Sequence, residues 1–183
     1  MGNLRIIGGK WRGRCIEVFP DLGIRPTSNR IKETLFNWLG NQLIGARCLD
    51  LFAGSGSLGI EALSRGAEEV VFIENNSIAL QHLNKQLVKL GSKGQAKIVL
   101  GDALVLLPKL IGPFNIVFID PPFHTQLASV CCQQLEVLHL LSPKSWVYVE
   151  AEANVSQLVI PEGWISYRHK KAGHVSYRLF QTP

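Results

Sequence analysis

From Arg47 onward the chain alternates apolar, strand-like runs with segments of helical period, and few architectures accept that order. Arg47 to Leu51 leads into a glycine loop and a helix through Ala62; Glu69 to Glu74 is an apolar strand; Asn76 to Leu90 sets Leu80, Leu83, Leu87 and Leu90 at helical spacing and stops at Gly91. Ala96 to Gly101 follows, with a short helix near Leu104, and then Phe114 to Asp120, a nearly continuous apolar run of the kind buried on both faces. Thr125 to Leu141 reads as helix, Trp146 to Glu150 as strand, and Ile165 to Lys171 with His174 to Gln181 as a closing hairpin around Ala172-Gly173. Such repetition predicts an α/β, Rossmann-like, doubly wound and mostly parallel sheet, with an antiparallel strand added by the final hairpin. Ligands then belong at the carboxyl ends of the parallel strands.

Gly54-Ser55-Gly56-Ser57-Leu58-Gly59 satisfies GxGxxG between a strand and a helix, and Glu74 ends the next strand twenty residues after Gly54. A nicotinamide dinucleotide fits that pattern, but Asp50 stands four residues before Gly54, where a carboxylate would repel a pyrophosphate. It suits a cationic head instead, and S-adenosylmethionine carries an ammonium and a sulfonium. Glu74 can accept from two ribose hydroxyls, and Asp102, after the third strand, can meet the amine of an adenine. Each acid alone reads as a helix cap or turn residue; three in succession beside a glycine loop favour a cofactor site.

The fourth strand ends in Asp120-Pro121-Pro122-Phe123. The prolines stop a strand, yet that does not account for the acid before them and the aromatic after. An aromatic amine is a poor nucleophile because its lone pair is delocalised into the ring. The Asp120 carboxylate and Pro121 carbonyl could take its two N–H groups and localise that pair, while Pro122 fixes the backbone and Phe123 stacks on a displaced base. Asp120 is then an orienting residue and a candidate general base, and the chemistry needs no metal.

Charge is placed unevenly. Residues 1 to 32 hold seven bases (Arg5, Lys10, Arg12, Arg14, Arg25, Arg30, Lys32) and two acids, which accounts for the whole net charge of +5. Such an end suits a polyanion, or is simply a solvated surface. Leu4 to Ile7 and Arg14 to Phe19 read as a hairpin whose tip carries Lys10, Trp11 and Arg12, with Trp11 either stacking on a nucleotide or anchoring the tip to the core. Thr27 or Ser28 can cap the next helix, with Ile31, Leu35, Trp38 and Leu39 on one face. His169, Lys170, Lys171 and His174 add charge near the crevice or form a solvated turn; Tyr148 and Glu150 are weaker pocket candidates. The four cysteines have no metal-ligand spacing and read as buried thiols. No signal sequence or membrane span is read, so a cytoplasmic protein is expected.

Asp50-Leu51-Phe52-Ala53-Gly54-Ser55-Gly56 together with Asp120-Pro121-Pro122-Phe123 resembles the amino-methyltransferases of the class I S-adenosylmethionine fold. The segment Arg25-Pro26-Thr27-Ser28-Asn29-Arg30-Ile31-Lys32-Glu33-Thr34-Leu35-Phe36-Asn37-Trp38-Leu39 and the ending Ala172-Gly173-His174-Val175-Ser176-Tyr177-Arg178 are similar, more narrowly, to bacterial 16S rRNA guanine-N2 methyltransferases acting on guanine 966. The resemblance implies a seven-stranded sheet, S-adenosyl-L-methionine as cofactor, and 16S rRNA in a partly or fully assembled 30S subunit as partner. It implies cofactor contacts from Asp50, Phe52, Ala53, Gly54, Ser55, Gly56, Glu74, Asn75, Asp102 and Ala103. The expected RNA contacts are Arg5, Lys10, Arg12, Arg14, Arg25, Thr27 and Arg30, with residues 1–26 as a basic hairpin and loop before a catalytic domain of 27–183, acting as a monomer. An adenine-N6 or other amino-methyltransferase on DNA or protein, a dehydrogenase, and an inactive nucleic-acid-binding protein remain open.

Overall fold

A computed structural model of the chain describes residues 2–18, 29–92, 94–122, 126–153 and 158–183. Strands β1 (Gly2–Arg5) and β2 (Cys15–Val18) form an antiparallel hairpin. The remaining elements are α1 (Asn29–Leu39), β3 (Arg47–Asp50), α2 (Ser57–Ser64), β4 (Glu69–Glu74), α3 (Ser77–Leu90), β5 (Ala96–Leu100), α4 (Ala103–Leu106), β6 (Phe114–Ile119), α5 (Leu127–Val137), β7 (Leu141–Glu152), β8 (Ile165–Ala172) and β9 (Val175–Gln181). The last seven strands make one sheet in the order β5-β4-β3-β6-β7-β9-β8. β5, β4, β3, β6 and β7 run parallel, and β9 is antiparallel to both its neighbours. The order reverses beside β3, which opens a crevice above the carboxyl ends of β3 and β6.

Both faces are covered, so the central strands are apolar throughout: Phe114 and Ile116 to Ile119 in β6 are buried, with Asn115 the one exposed exception. One core lies under α1, α2, α3 and the amino-terminal hairpin; the other lies under α4 and α5. The Asn76 side chain caps α3 by accepting from the backbone N–H groups of Ile78 and Ala79, and Gly91 ends it with φ +72°.

The hairpin is packed into the first core through Leu4, Ile6, Trp11 and Ile16, and Trp11 is buried. Glu61, fully buried on α2, accepts from the backbone N–H groups of Ile7 and Gly8, each at 2.8 Å. Lys32 is also fully buried; its Nζ donates to the Arg5 carbonyl at 2.8 Å and lies 3.6 Å from Glu61. Gly9 has φ +74°, and a Cβ there would sit 1.7 Å from the Ser64 carbonyl oxygen, so the tip can lie this close only as glycine.

Three boundaries differ from expectation. Apolar spacing suggests helix to Leu141, yet α5 stops at Val137 because His139 takes φ +51° and turns the chain. β7 begins at Leu141 instead of Trp146, and a register shift opposite Phe114 to Ile116 absorbs the extra residues. The closing turn is Gly173-His174, between paired Ala172 and Val175, with Gly173 at φ +60°. Cys48, Cys131 and Cys132 are buried, but Cys15 is exposed, because it lies on the outward face of β2. Among the described residues no helix is long and apolar enough to cross a membrane.

Candidate active site

Three carboxylates converge where the sheet order reverses. Asp50 ends β3 and is only 2% exposed; its Oδ2 accepts from the Gly59 N–H at 3.0 Å. Burial pushes its carboxyl up to about 7, and the nearby charges of Asp120 and Glu74 push in the same direction. Its neighbours therefore disfavour the anion, and a bound cation would favour it.

Glu74 ends β4 and holds both sides of the loop. Its Oε2 accepts from the Gly54 N–H at 2.7 Å and its Oε1 from the Asn76 N–H at 2.8 Å, leaving further acceptor capacity on each oxygen. Gly56, at the start of α2, has φ +76°, and a Cβ there would meet the Leu83 side chain at 2.3 Å. The Ser57 hydroxyl beside it is buried with no hydrogen-bond partner, an orphaned polar group at the loop. Sequence reading passed over Ser57; its place at the first helical residue after the glycines was the available signal. Phe52, Gly54 and Ser55 are half-buried, Ala53 is buried, and Asn75 is exposed in the turn after β4.

Asp102 serves as the cap of α4, accepting through Oδ1 from Leu104 N–H at 2.9 Å and Val105 N–H at 3.2 Å, while Ala103 is buried behind it. Asp120 follows β6 and is half-buried; Pro121 is buried and Pro122 exposed, and Phe123 lies outside the described residues. Tyr148 and Glu150 are buried behind Asp120, the Tyr148 hydroxyl donating to Glu150 at 2.8 Å. Burial, then the charges of Glu150 and Asp120, push that phenol well above its usual range.

The basic residues are less concentrated. Arg25 and Thr27 lie outside the described residues, and Arg5, Arg12 and Arg30 are exposed. Lys10 donates to Gln95 Oε1 at 2.7 Å, and the Arg14 guanidinium donates to the Lys89 carbonyl at 3.2 Å. Gln95 precedes β5 and Lys89 ends α3, so these two lie toward the amino-terminal ends of the strands, away from Asp120.

Sheet order, glycine loop and strand-end acids together define a class I, S-adenosylmethionine-dependent methyltransferase. Residues 4–181 match the family model described as Conserved hypothetical protein 95. The Ribosomal RNA small subunit methyltransferase D of Escherichia coli K12 is 44% identical over 180 residues, covering 98% of this chain and 90% of that protein. Its namesake from Haemophilus influenzae is 45% identical over 184 residues, covering 99% and 95%. A solved Escherichia coli structure, yhhF, is 42% identical and superposes with a TM-score of 0.91 over 99% of this chain and 98% of that one. The chain belongs to the ribosomal RNA small subunit methyltransferase D family.

Proposed function

We propose that the protein methylates the exocyclic N2 amine of a guanine in 16S rRNA, the base equivalent to guanine 966, in a partly or fully assembled 30S subunit in the cytoplasm. The observation that carries the reading is the convergence of Asp50, Glu74 and Asp120 around the glycine loop, in a chain whose relatives are named for ribosomal RNA methylation.

Bound S-adenosylmethionine supplies a methyl group on a sulfonium. Asp50 and the orphaned Ser57 hydroxyl face its methionine part with Phe52, Ala53, Gly54, Ser55 and Gly56. Glu74 and Asn75 take the ribose, and Asp102 with Ala103 takes the adenine. Asp120 and the Pro121 carbonyl accept the two amine N–H groups, turning the lone pair toward the methyl group, and Asp120 receives the proton released. Tyr148 and Glu150 support Asp120 from behind. Pro122 and Phe123 hold and stack the base.

Arg5, Lys10, Arg12, Arg14, Arg25, Thr27 and Arg30, from the basic segment 1–26 and the start of the catalytic unit 27–183, contact the RNA. Lys10 and Arg14 support this for a region away from the target nucleotide, since their partners Gln95 and Lys89 lie toward the amino-terminal ends of the strands. The Asp-Pro-Pro-Phe motif also suits adenine N6, so base identity must be measured. The protein is incubated with methyl-labelled S-adenosylmethionine and, separately, naked 16S rRNA, 30S particles lacking the modification, and duplex DNA; the labelled nucleoside is then identified. Label in N2-methylguanosine is expected, and N6-methyladenine in DNA would refute the reading. Asp120→Ala should lower turnover about 100-fold or more while cofactor affinity stays within a factor of about two.

A further inference from the structure

RNA presented to Asp120 needs a cation close to that end of the sheet. Gln95, which holds Lys10, is seven residues before Asp102 along an extended strand, so Lys10 stands roughly 20 Å from the carboxyl ends. Positive charge on the correct side is found elsewhere, at the ends of β8 and β9.

A pocket of about 380 Å³ opens there, floored by alternate residues of three neighbouring strands: Val149 and Ala151, Ser176 and Arg178, His169 and Lys171. The register explains why they share a face. Arg178 pairs with both Val149 and His169, and Ser176 pairs with both Ala151 and Lys171. The pocket lies beside the reacting end of the crevice, because Val149 also pairs with Ile119, the residue before Asp120. Its wall is the first turn of α5, which the Asp120-Pro121-Pro122 segment leads into.

The charges in this pocket are unbalanced. His169 and Arg178 sit directly opposite each other, an unfavourable pairing when both are charged. Among the described residues neither Lys171 nor Arg178 makes an ion pair. Glu152 is the one carboxylate in the lining, and α5 offers Gln126 and Ser129 with no acid in its first turn. His169 Nε2 is 3.0 Å from Ser176 Oγ. Burial holds its imidazole below the usual range, and Arg178 and Lys171 add to that effect. An anion between the three side chains would offset the repulsion from Arg178 and Lys171 and favour the charged imidazole.

We propose that this pocket binds a phosphodiester of the RNA substrate next to the methylated nucleotide, through Lys171, Arg178 and protonated His169. The inference rests on the RNA reading above and adds the site that seats the strand at the crevice. Arg178 went unassigned in sequence, although His169/Lys171 and Ser176/Arg178 are spaced to share one face of a hairpin.

The test measures binding of a labelled single-stranded 16S rRNA fragment to cofactor-saturated protein over a range of salt, for the parent, Lys171→Gln, Arg178→Gln and the double variant. Each substitution should make the slope of log Kd against log salt shallower by about 0.7, with the exposed Lys171→Gln standing even if Arg178→Gln folds poorly. In parallel, the His169 imidazole is titrated by NMR with and without the fragment. Its pKa should rise on RNA binding, so that affinity increases as pH falls toward the imidazole range. A parent that binds cofactor but neither the fragment nor 30S particles lacking the modification refutes the proposed function along with this site. A parent that binds RNA while the double variant keeps its slope and affinity overturns this site alone. A rise in the His169 pKa as large with inorganic phosphate as with RNA would overturn the RNA assignment.

Discussion

Replacing Glu61 with alanine should cost about 4 kcal/mol of folding stability, although Glu61 is remote from the chemistry. Its side chain is fully buried and accepts from three donors, the N–H groups of Ile7 and Gly8 and the Arg65 Nε, each at 2.8 Å, and it pairs with the Lys32 ammonium at 3.6 Å. Removing the carboxylate orphans two backbone donors, at about 1–3 kcal/mol each if both stay buried. It also strands Lys32, and breaking a buried pair from one side costs about 3–5 kcal/mol. These contributions do not add fully. Burial already pushes the Lys32 ammonium down, so it can shed its proton, and the hairpin can lift to wet Ile7 and Gly8. Urea unfolding followed by far-UV circular dichroism gives the free energy. Lys32→Met combined with Glu61→Gln should recover part of the loss, since no fully buried charge is then left alone and Arg65, 21% exposed, can turn to solvent. A loss below about 1 kcal/mol for Glu61→Ala would refute the view that this carboxylate anchors the hairpin.

Cofactor affinity should weaken as pH falls through about 7. Asp50 is protonated below that value in the free protein, and a cationic ligand must expel that proton to pair with the carboxylate. Calorimetry in buffers of different ionisation enthalpy would show proton release below pH 7; affinity that is flat through neutrality would remove Asp50 from the cationic end of the ligand. Gly9→Ala should destabilise by several kcal/mol, because the strained φ and the clash with the Ser64 backbone add. Unchanged urea midpoints would show that the hairpin tip does not need its close contact with α2.

The sheet was legible because its signal is local: apolar runs of strand length, each followed by a helical period, fix order and direction. Asp50, Glu74 and Asp120 were legible for the same reason, since the end of a parallel strand is a place that sequence marks. Long-range pairing was not. Lys32 counts among the bases that make the amino-terminal end look cationic, yet it is buried against Glu61, a partner 29 residues away. Lys10 and Arg14 are tied to Gln95 and Lys89, so charge counting placed them in a basic segment but could not say which end of the sheet they face. The α5 boundary failed for a different reason: apolar spacing continues through Leu138, Leu140 and Leu141, whereas the chain turns at His139 through a conformation that periodicity does not report.

The docking of the hairpin also sets an order in time. Its partners Glu61 and Ser64 follow it by about 53 residues, and Gln86, Lys89 and Gln95 by 69 to 85. Residues 2–18 are therefore synthesised well before any surface exists to receive them, and Leu4, Ile6, Trp11 and Ile16 stay without their core until α3 has been made. Loops of this length close slowly compared with a local helix. A segment made before its partners is thus among the last to reach its place, and a nascent chain halted before α3 would present these apolar side chains to chaperones.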